Sequence, residues 1–251
     1  MKVGIIGLGL IGGSLFKSLK ALNYNVIAVS KSQQGENIYK DYEAVKDCEI
    51  IFVCTAMNKT IAVLDELENV LSQETIVTDV CSLKEFVCEK QRPYKFIPSH
   101  PMAGTENKGY ENSFEGLFNG CKWAITPYFG YEGITKLEKI IIALGATPII
   151  TTPKEHDEAV ALISHMPMVV SQALMLTAKD SKLAMEMASS GFRDMTRLAL
   201  SNEEMANDMV TMNHRNIEHA ILKLYKSIGD LTSGNYSETI REIKQLRAKM
   251  F

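Results

Sequence analysis

Val3-Gly4-Ile5-Ile6-Gly7-Leu8-Gly9-Leu10-Ile11-Gly12-Gly13-Ser14 decides how the first half of this chain folds. A short apolar run leads into Gly-x-Gly-x-x-Gly, and an amphipathic helix bearing Leu15, Phe16, Leu19 and Leu22 follows at once. That order suits a dinucleotide: Gly7 permits a tight turn, Gly9 lets the backbone approach a pyrophosphate, and Gly12 lets helix pack on strand. The helix N-terminus adds unpaired N–H groups and a partial positive charge. Gly7, Gly9, Leu10, Ile11 and Gly12 are therefore the candidate cofactor-binding residues of the turn.

Working outward, the first half alternates short apolar strands with helical or polar segments. Strands are expected at 2–6, 26–29, 50–54, 76–79, 96–99, 122–126 and 147–150. This pattern predicts a doubly wound, mainly parallel sheet of the Rossmann type. The texture changes at Thr152-Pro153-Lys154-Glu155, which combines an N-cap threonine, a first-turn proline and a capping-box glutamate. Beyond it no strand pattern is found. Ser201-x-x-Glu204 reads as a second capping box, opening a helix with Ile217, Ile221, Leu224 and Ile228 on one face. A last helix is expected over about 236–250. The α/β part, residues 1–151, is thus expected to precede an all-helical C-terminal domain, residues 152–251. Nine methionines of the helical part, from Met166 to Met212, read first as core filler and second as a subunit interface.

Composition narrows the function classes. At 251 residues the chain can bury a real core, and a net charge of −3 gives no reason to expect nucleic acid or an anionic membrane as partner. No apolar run approaches the roughly 20 residues of a spanning helix. Met1-Lys2 leads straight into the first strand, which leaves no room for a leader. Five cysteines without metal-ligand spacing read as reduced core residues of a cytoplasmic protein, and no metal site is expected.

The second strand usually ends in an acidic residue that holds the ribose 2′-hydroxyl of NAD. Here Val26-Ile27-Ala28-Val29 is followed by Ser30-Lys31-Ser32-Gln33-Gln34, without a carboxylate. The Ser30 hydroxyl and Lys31 ammonium suit a 2′-phosphate instead, so NADP is favoured over NAD.

Two segments are expected at carboxyl ends of strands, where open α/β sheets place their sites: Thr78-Asp79-Val80-Cys81-Ser82-Leu83-Lys84 and Ser99-His100-Pro101-Met102-Ala103-Gly104-Thr105-Glu106. Ser82-x-x-Glu85 can also be read as a capping box. A loop histidine such as His100, beside a nicotinamide, is a suitable general base. From the helical half, Ser164-His165-Met166-Pro167 places His165 beside a proline kink. A glycine-containing loop carries Arg193 and Arg197, whose planar forks suit a carboxylate.

Together, Gly7–Ser14, Thr78-Asp79-x-x-Ser82-x-Lys84, His100-Pro-Met-Ala-Gly-Thr-Glu106, Ser164-His165-x-Pro167 and Gly191-Phe-Arg-Asp-x-Thr-Arg197 resemble the prephenate/arogenate dehydrogenases of tyrosine biosynthesis. The resemblance implies an NAD(P)-dependent oxidative decarboxylation. It makes His100 the acceptor or base for the substrate's ring hydroxyl, and it has Ser82 fix histidine and substrate. It gives Arg197 a substrate carboxylate, places Thr105 and Glu106 at the pocket and has His165 support it from the helical side. It further implies a homodimer joined through the helical domains. Met168 stands where some prephenate-specific members carry a second histidine, which leans towards arogenate, whereas Thr105-Glu106-Asn107-Lys108-Gly109 resembles the prephenate type. Prephenate is placed first and arogenate second. A related hydroxyacid or imino-acid reductase and a catalytically silent NADP sensor are the rival readings.

Overall fold

A computed structural model describes every residue except Glu106, Tyr131, Asn235 and Phe251. Six parallel strands form the first sheet: β1 (Lys2–Ile6), β2 (Asn25–Val29), β3 (Ile38–Tyr39), β4 (Ile50–Val53), β5 (Ile76–Asp79) and β6 (Lys95–Phe96), in the order β3-β2-β1-β4-β5-β6. The chain order reverses between β1 and β4, and ligands of open α/β sheets bind at such a switch point. Alternation builds both faces. Val3, Ile5, Ile50 and Phe52 join the core under α1 (Leu10–Ala21), whereas Ile6, Ile51, Val53 and Val77 join the core under α2 (Met57–Leu67). Burial on both faces explains why these strands read as continuous apolar runs.

The expected strand 96–99 is two strands in two sheets. Ile97 still donates to Val77 O at 2.9 Å, but Pro98 has no N–H to continue the ladder. The chain then enters a second sheet, in which β7 (Ser99–Pro101) runs antiparallel to β8 (Lys122–Ile125) and β8 parallel to β9 (Thr147–Ile150). Trp123 of β8 ties the two sheets together. Its ring meets Phe52 edge-on at 6.3 Å, and its Nε1 donates to Ser99 Oγ at 3.0 Å. His100 therefore lies within a short antiparallel pair, opposite Ala124, and not at the end of a strand of the parallel sheet. Helix α3 (Ile134–Ala143) links β8 to β9 and buries Leu137, Ile140 and Ile141.

After Ile150 the described residues form only helices and turns: α4 (Pro153–Val160), a π-helical turn (Ala161–His165), α5 (Met166–Ala178), α6 (Lys182–Met187), α7 (Ser190–Thr196), α8 (Glu203–Met212), α9 (His214–Ser233) and α10 (Tyr236–Met250). The Thr152 capping box is present as read. The second box is not. Asn202, not Ser201, caps α8 by accepting from Met205 N, and Ile217 and its companions belong to α9, a separate helix. The stretch read as a glycine-containing loop is α7 with a 3-10 turn (Arg197–Leu200) after it.

Two expectations about apolar residues also change. Pro153–Ala178 is one helical run of 26 residues, long and apolar enough by length and composition to cross a membrane. Periodicity hides it, because His156, Asp157 and His165 interrupt the apolar pattern yet are buried inside the protein. Of the methionines, Met168 and Met209 lie in the core, whereas Met185, Met187, Met195, Met205 and Met212 are exposed, so core filling does not account for the set.

Candidate active site

The glycine turn has the geometry that its residues dictate. Gly7 sits at φ 92°, and a Cβ there would meet Cys54 O at 2.7 Å. A Cβ on Gly12 would lie 1.9 Å from Gly7 O, so only glycine lets α1 pack this close to β1. A Cβ on Gly9, by contrast, would meet nothing within 4 Å. Gly9 is also the N-cap of α1, so no side chain covers the first turn, to which Leu10 and Ile11 belong. An open cradle at an uncapped helix N-terminus fits a pyrophosphate.

At the end of β2, Ser30 is buried, and its Oγ accepts from Gln33 N at 3.1 Å, which leaves the hydroxyl hydrogen free to donate. Lys31 is exposed beside it. Lys40, unremarked in the sequence, folds this loop by donating from Nζ to the carbonyls of Ser30, Lys31 and Gln33 at 2.9–3.0 Å. No carboxylate enters the arrangement.

The chemistry gathers where β5 ends, β7 begins and α4 crosses them. Asp79 and Lys84 form a fully buried ion pair, and Lys84 Nζ also donates to Ser99 O at 2.6 Å. Asp79 Oδ1 accepts from Ser99 N at 3.3 Å, so one pair fixes the backbone immediately before His100. His100 Nδ1 lies 3.0 Å from His156 Nε2 on α4. His156 Nδ1 lies 2.7 Å from Asp157 Oδ1. Asp157 in turn accepts from Lys84 N at 2.8 Å and from Glu85 N at 2.9 Å. Of these, the Glu85 N–H was expected to belong to a box headed by Ser82. Asp157, from the helical half, takes it instead, and the turn that follows (Phe86–Cys88) has no side-chain cap.

The pKa of His100 is held well below the ordinary histidine value, first by burial and then by His156, Lys84 and His165 nearby. It is therefore neutral, and able to accept a proton, at physiological pH. His165 is pushed down to about 4, mainly by burial. Asn213 Nδ2 donates to Asp157 O at 3.0 Å and faces His165 Nδ1 at 3.1 Å. Since the Asp157 carbonyl can only accept, Nδ2 is the amide atom on that side and His165 Nδ1 must be the acceptor. The His165 hydrogen is thus on Nε2, which is buried with no partner among the described residues.

The remaining candidates are less drawn together. Ser82 Oγ is 3.5 Å from Met57 Sδ and makes no hydrogen bond to His100 among the described residues; His156 holds the histidine instead. Arg197 is exposed and makes no hydrogen bond or ion pair among the described residues. Its neighbour Leu198 packs on the cluster of Met57, Cys81 and Leu83 that flanks Ser82, which brings the 3-10 turn to this side of the molecule. Thr105 is exposed, with Oγ1 accepting from Asn107 N at 3.2 Å, and Glu106 lies outside the described residues. His156, Asp157 and Asn213 were not anticipated. The available signal was the Glu155-His156-Asp157 tripeptide, charged and aromatic, in the first turns of a largely apolar helix.

Comparisons with known proteins identify the family. Residues 26–149 match the family model described as prephenate dehydrogenase, nucleotide-binding domain, and residues 152–246 match prephenate dehydrogenase, dimerization domain. The chain is 27% identical over 268 residues to a prephenate dehydrogenase of Bacillus subtilis, covering 97% of this chain and 68% of that protein. The crystal structure of Synechocystis arogenate dehydrogenase is 32% identical and superposes with a TM-score of 0.81, over 99% of this chain and 97% of the other. Prephenate dehydrogenase from Aquifex aeolicus, solved with hydroxyphenyl propionate and NAD+, shares the fold at a TM-score of 0.83 and 24% identity, over 100% and 98% of the two chains. With both halves matched in order and a relative above 30% identity along nearly its whole length, this chain belongs to the prephenate/arogenate dehydrogenase family of oxidoreductases in tyrosine biosynthesis.

Proposed function

We propose that the chain is a cytoplasmic, NADP-preferring prephenate dehydrogenase. It would convert prephenate to 4-hydroxyphenylpyruvate and CO₂, with arogenate, whose side chain carries an amine in place of the ketone, as the second candidate. The observation that supports this best is the 3.0 Å contact of His100 Nδ1 with His156, which leaves Nε2 to act on the substrate. A bound nicotinamide supplies the acceptor for hydride from the ring carbon that bears the hydroxyl. Gly7, Gly9, Leu10, Ile11 and Gly12 hold the pyrophosphate, and Ser30 and Lys31 hold the 2′-phosphate. The missing acidic residue after β2 supports NADP, since a carboxylate there would repel that phosphate.

His100 Nε2 takes up the hydroxyl proton as the ring carbon is oxidised. Loss of the ring carboxylate as CO₂ returns an electron pair to the ring, which becomes aromatic, and His100 gives the proton back to the phenolate oxygen. Ser82 orients the substrate, the buried His165 supports the pocket from the helical side, Arg197 binds a carboxylate, and Thr105 and Glu106 line the entrance. Residues 1–151 thus serve the nucleotide and 152–251 the substrate and a homodimer contact. Assays that pair prephenate or arogenate with NAD or NADP, followed by absorbance of the reduced nicotinamide, test the reading. Fastest turnover with prephenate and NADP is the expected result. Faster turnover with arogenate reverses the substrate order, and faster turnover with NAD removes the role given to Lys31.

A further inference from the structure

His100 is the first member of a chain that runs through His156 and ends on the Asp157 carboxylate, and the members' hydrogens can be assigned in order. A carboxylate can only accept, so the hydrogen between Asp157 Oδ1 and His156 Nδ1, 2.7 Å apart, belongs to the histidine. With its single hydrogen on Nδ1, His156 has a bare Nε2. The 3.0 Å contact from that atom to His100 Nδ1 must be made by a hydrogen on His100. His100 is left with its lone pair on Nε2, the atom facing away from the chain. The far end is rigid, because Asp157 also accepts from the backbone N–H groups of Lys84 and Glu85 and sits 3% exposed on α4.

We propose that His156 and Asp157 are positioning residues which fix His100 in its Nδ1–H tautomer and share the positive charge it gains with a proton on Nε2. The inference rests on the reading of His100 as proton acceptor, and it assigns that reading's working tautomer and counter-charge. When His100 Nε2 takes a proton, the imidazolium donates through Nδ1 to His156, and the Asp157 anion lies one ring beyond. The other charged or titratable groups that bear on His100 are Lys84, which is neutralised by Asp79, and His165. Neither provides a negative charge, so Asp157 is the group placed to offset the developing cation. The carboxylate–histidine arrangement of hydrolytic triads orients a base by the same physics, here with one more imidazole in the line.

Four variants separate the outcomes: His156→Leu, His156→Gln, Asp157→Asn and, as a control, His100→Asn. The readouts are kcat, KM, the pH profile of kcat/KM, and nucleotide affinity by fluorescence quenching. His156→Leu is expected to lower kcat by about 10²-fold with KM and nucleotide affinity little changed. His156→Gln retains more activity, because its side-chain oxygen can still accept from His100 Nδ1–H, although it cannot pass charge. Asp157→Asn shifts the acid limb of kcat/KM to lower pH, since an imidazolium without its counter-charge loses its proton more readily. Equal losses in His156→Leu and His156→Gln, or an unmoved limb in Asp157→Asn, would overturn the relay. If any variant fails to bind nucleotide or melts early, the limb in the best-folded member of the set decides. An active His100→Asn would sink the proton-acceptor reading itself, and a dead His100→Asn beside unimpaired His156 variants would sink the relay alone.

Discussion

Buried side chains at this site are exposed to acid through specific contacts. His165 is fully enclosed and its pKa is pushed down to about 4. In the unfolded chain the same ring titrates near 6.5, so on acidification the unfolded state takes up the proton first. Stability from this group is complete above about pH 6.5 and is lost as pH falls toward about 4. His100, shifted in the same direction, adds to the loss. Protonation also sets a new N–H on His165 Nδ1 against the N–H of Asn213 Nδ2, 3.1 Å away. A pKa difference of one is about 1.4 kcal/mol, and each kcal/mol moves the Tm of a chain this long by about 2–4 °C. Thermal melts between pH 7 and pH 4 should therefore decline more steeply for the natural chain than for His165→Gln, which has nothing to titrate. Parallel declines would show that folding does not lower the pKa of His165.

Elements differ in how plainly they could be read beforehand. β1, the glycine turn and α1 are dictated by neighbours within a dozen residues: a continuous apolar run, a φ only glycine tolerates at Gly7, and a contact only glycine permits at Gly12. The same holds for the Thr152 box, where cap and partner are three residues apart. Reading failed where a distant partner outcompeted a local one. Ser82 lost the Glu85 N–H to Asp157, more than 70 residues away, whose carboxylate makes a stronger acceptor than a hydroxyl. β7 was merged with β6 because both are short and only Pro98 separates the two sheets. β3, two residues long, has too little sequence to register as a strand. At the site, His100 was legible from its motif, but its partner is 56 residues on and carries no signal near His100. The cysteines were read as reduced core residues; Cys48, Cys81 and Cys88 are buried, Cys54 and Cys121 half-buried, and burial raises Cys48 to about 11 and Cys88 to about 12.

The helical half leaves large apolar side chains uncovered. Met187 is 73% exposed, Leu200 74% and Tyr225 77%, with Leu183, Met195 and Leu222 also bare, and all lie on α6 to α9. Apolar surface on this scale marks an interaction face, and the matched family model for residues 152–246 is described as a dimerization domain. Light scattering on the purified chain should give twice the chain mass, and Leu222→Glu or Tyr225→Glu should shift it toward the monomer by burying a charge without a partner. A monomer in the natural protein would contradict that use of the face. The Asp157 contacts to Lys84 and Glu85 join the helical half to the nucleotide half within each chain, so a monomerised variant retains the His100 relay.

Oxidation coupled to decarboxylation sets the proposed reaction apart from that of any hydroxyacid or imino-acid reductase built on this fold. The most direct measurement is the amount of CO₂ released per nicotinamide reduced when the enzyme turns over prephenate with NADP. Equal amounts, with 4-hydroxyphenylpyruvate as product, are the predicted result. Reduction of the nicotinamide without CO₂, or bound nucleotide with no reduction at all, would contradict it.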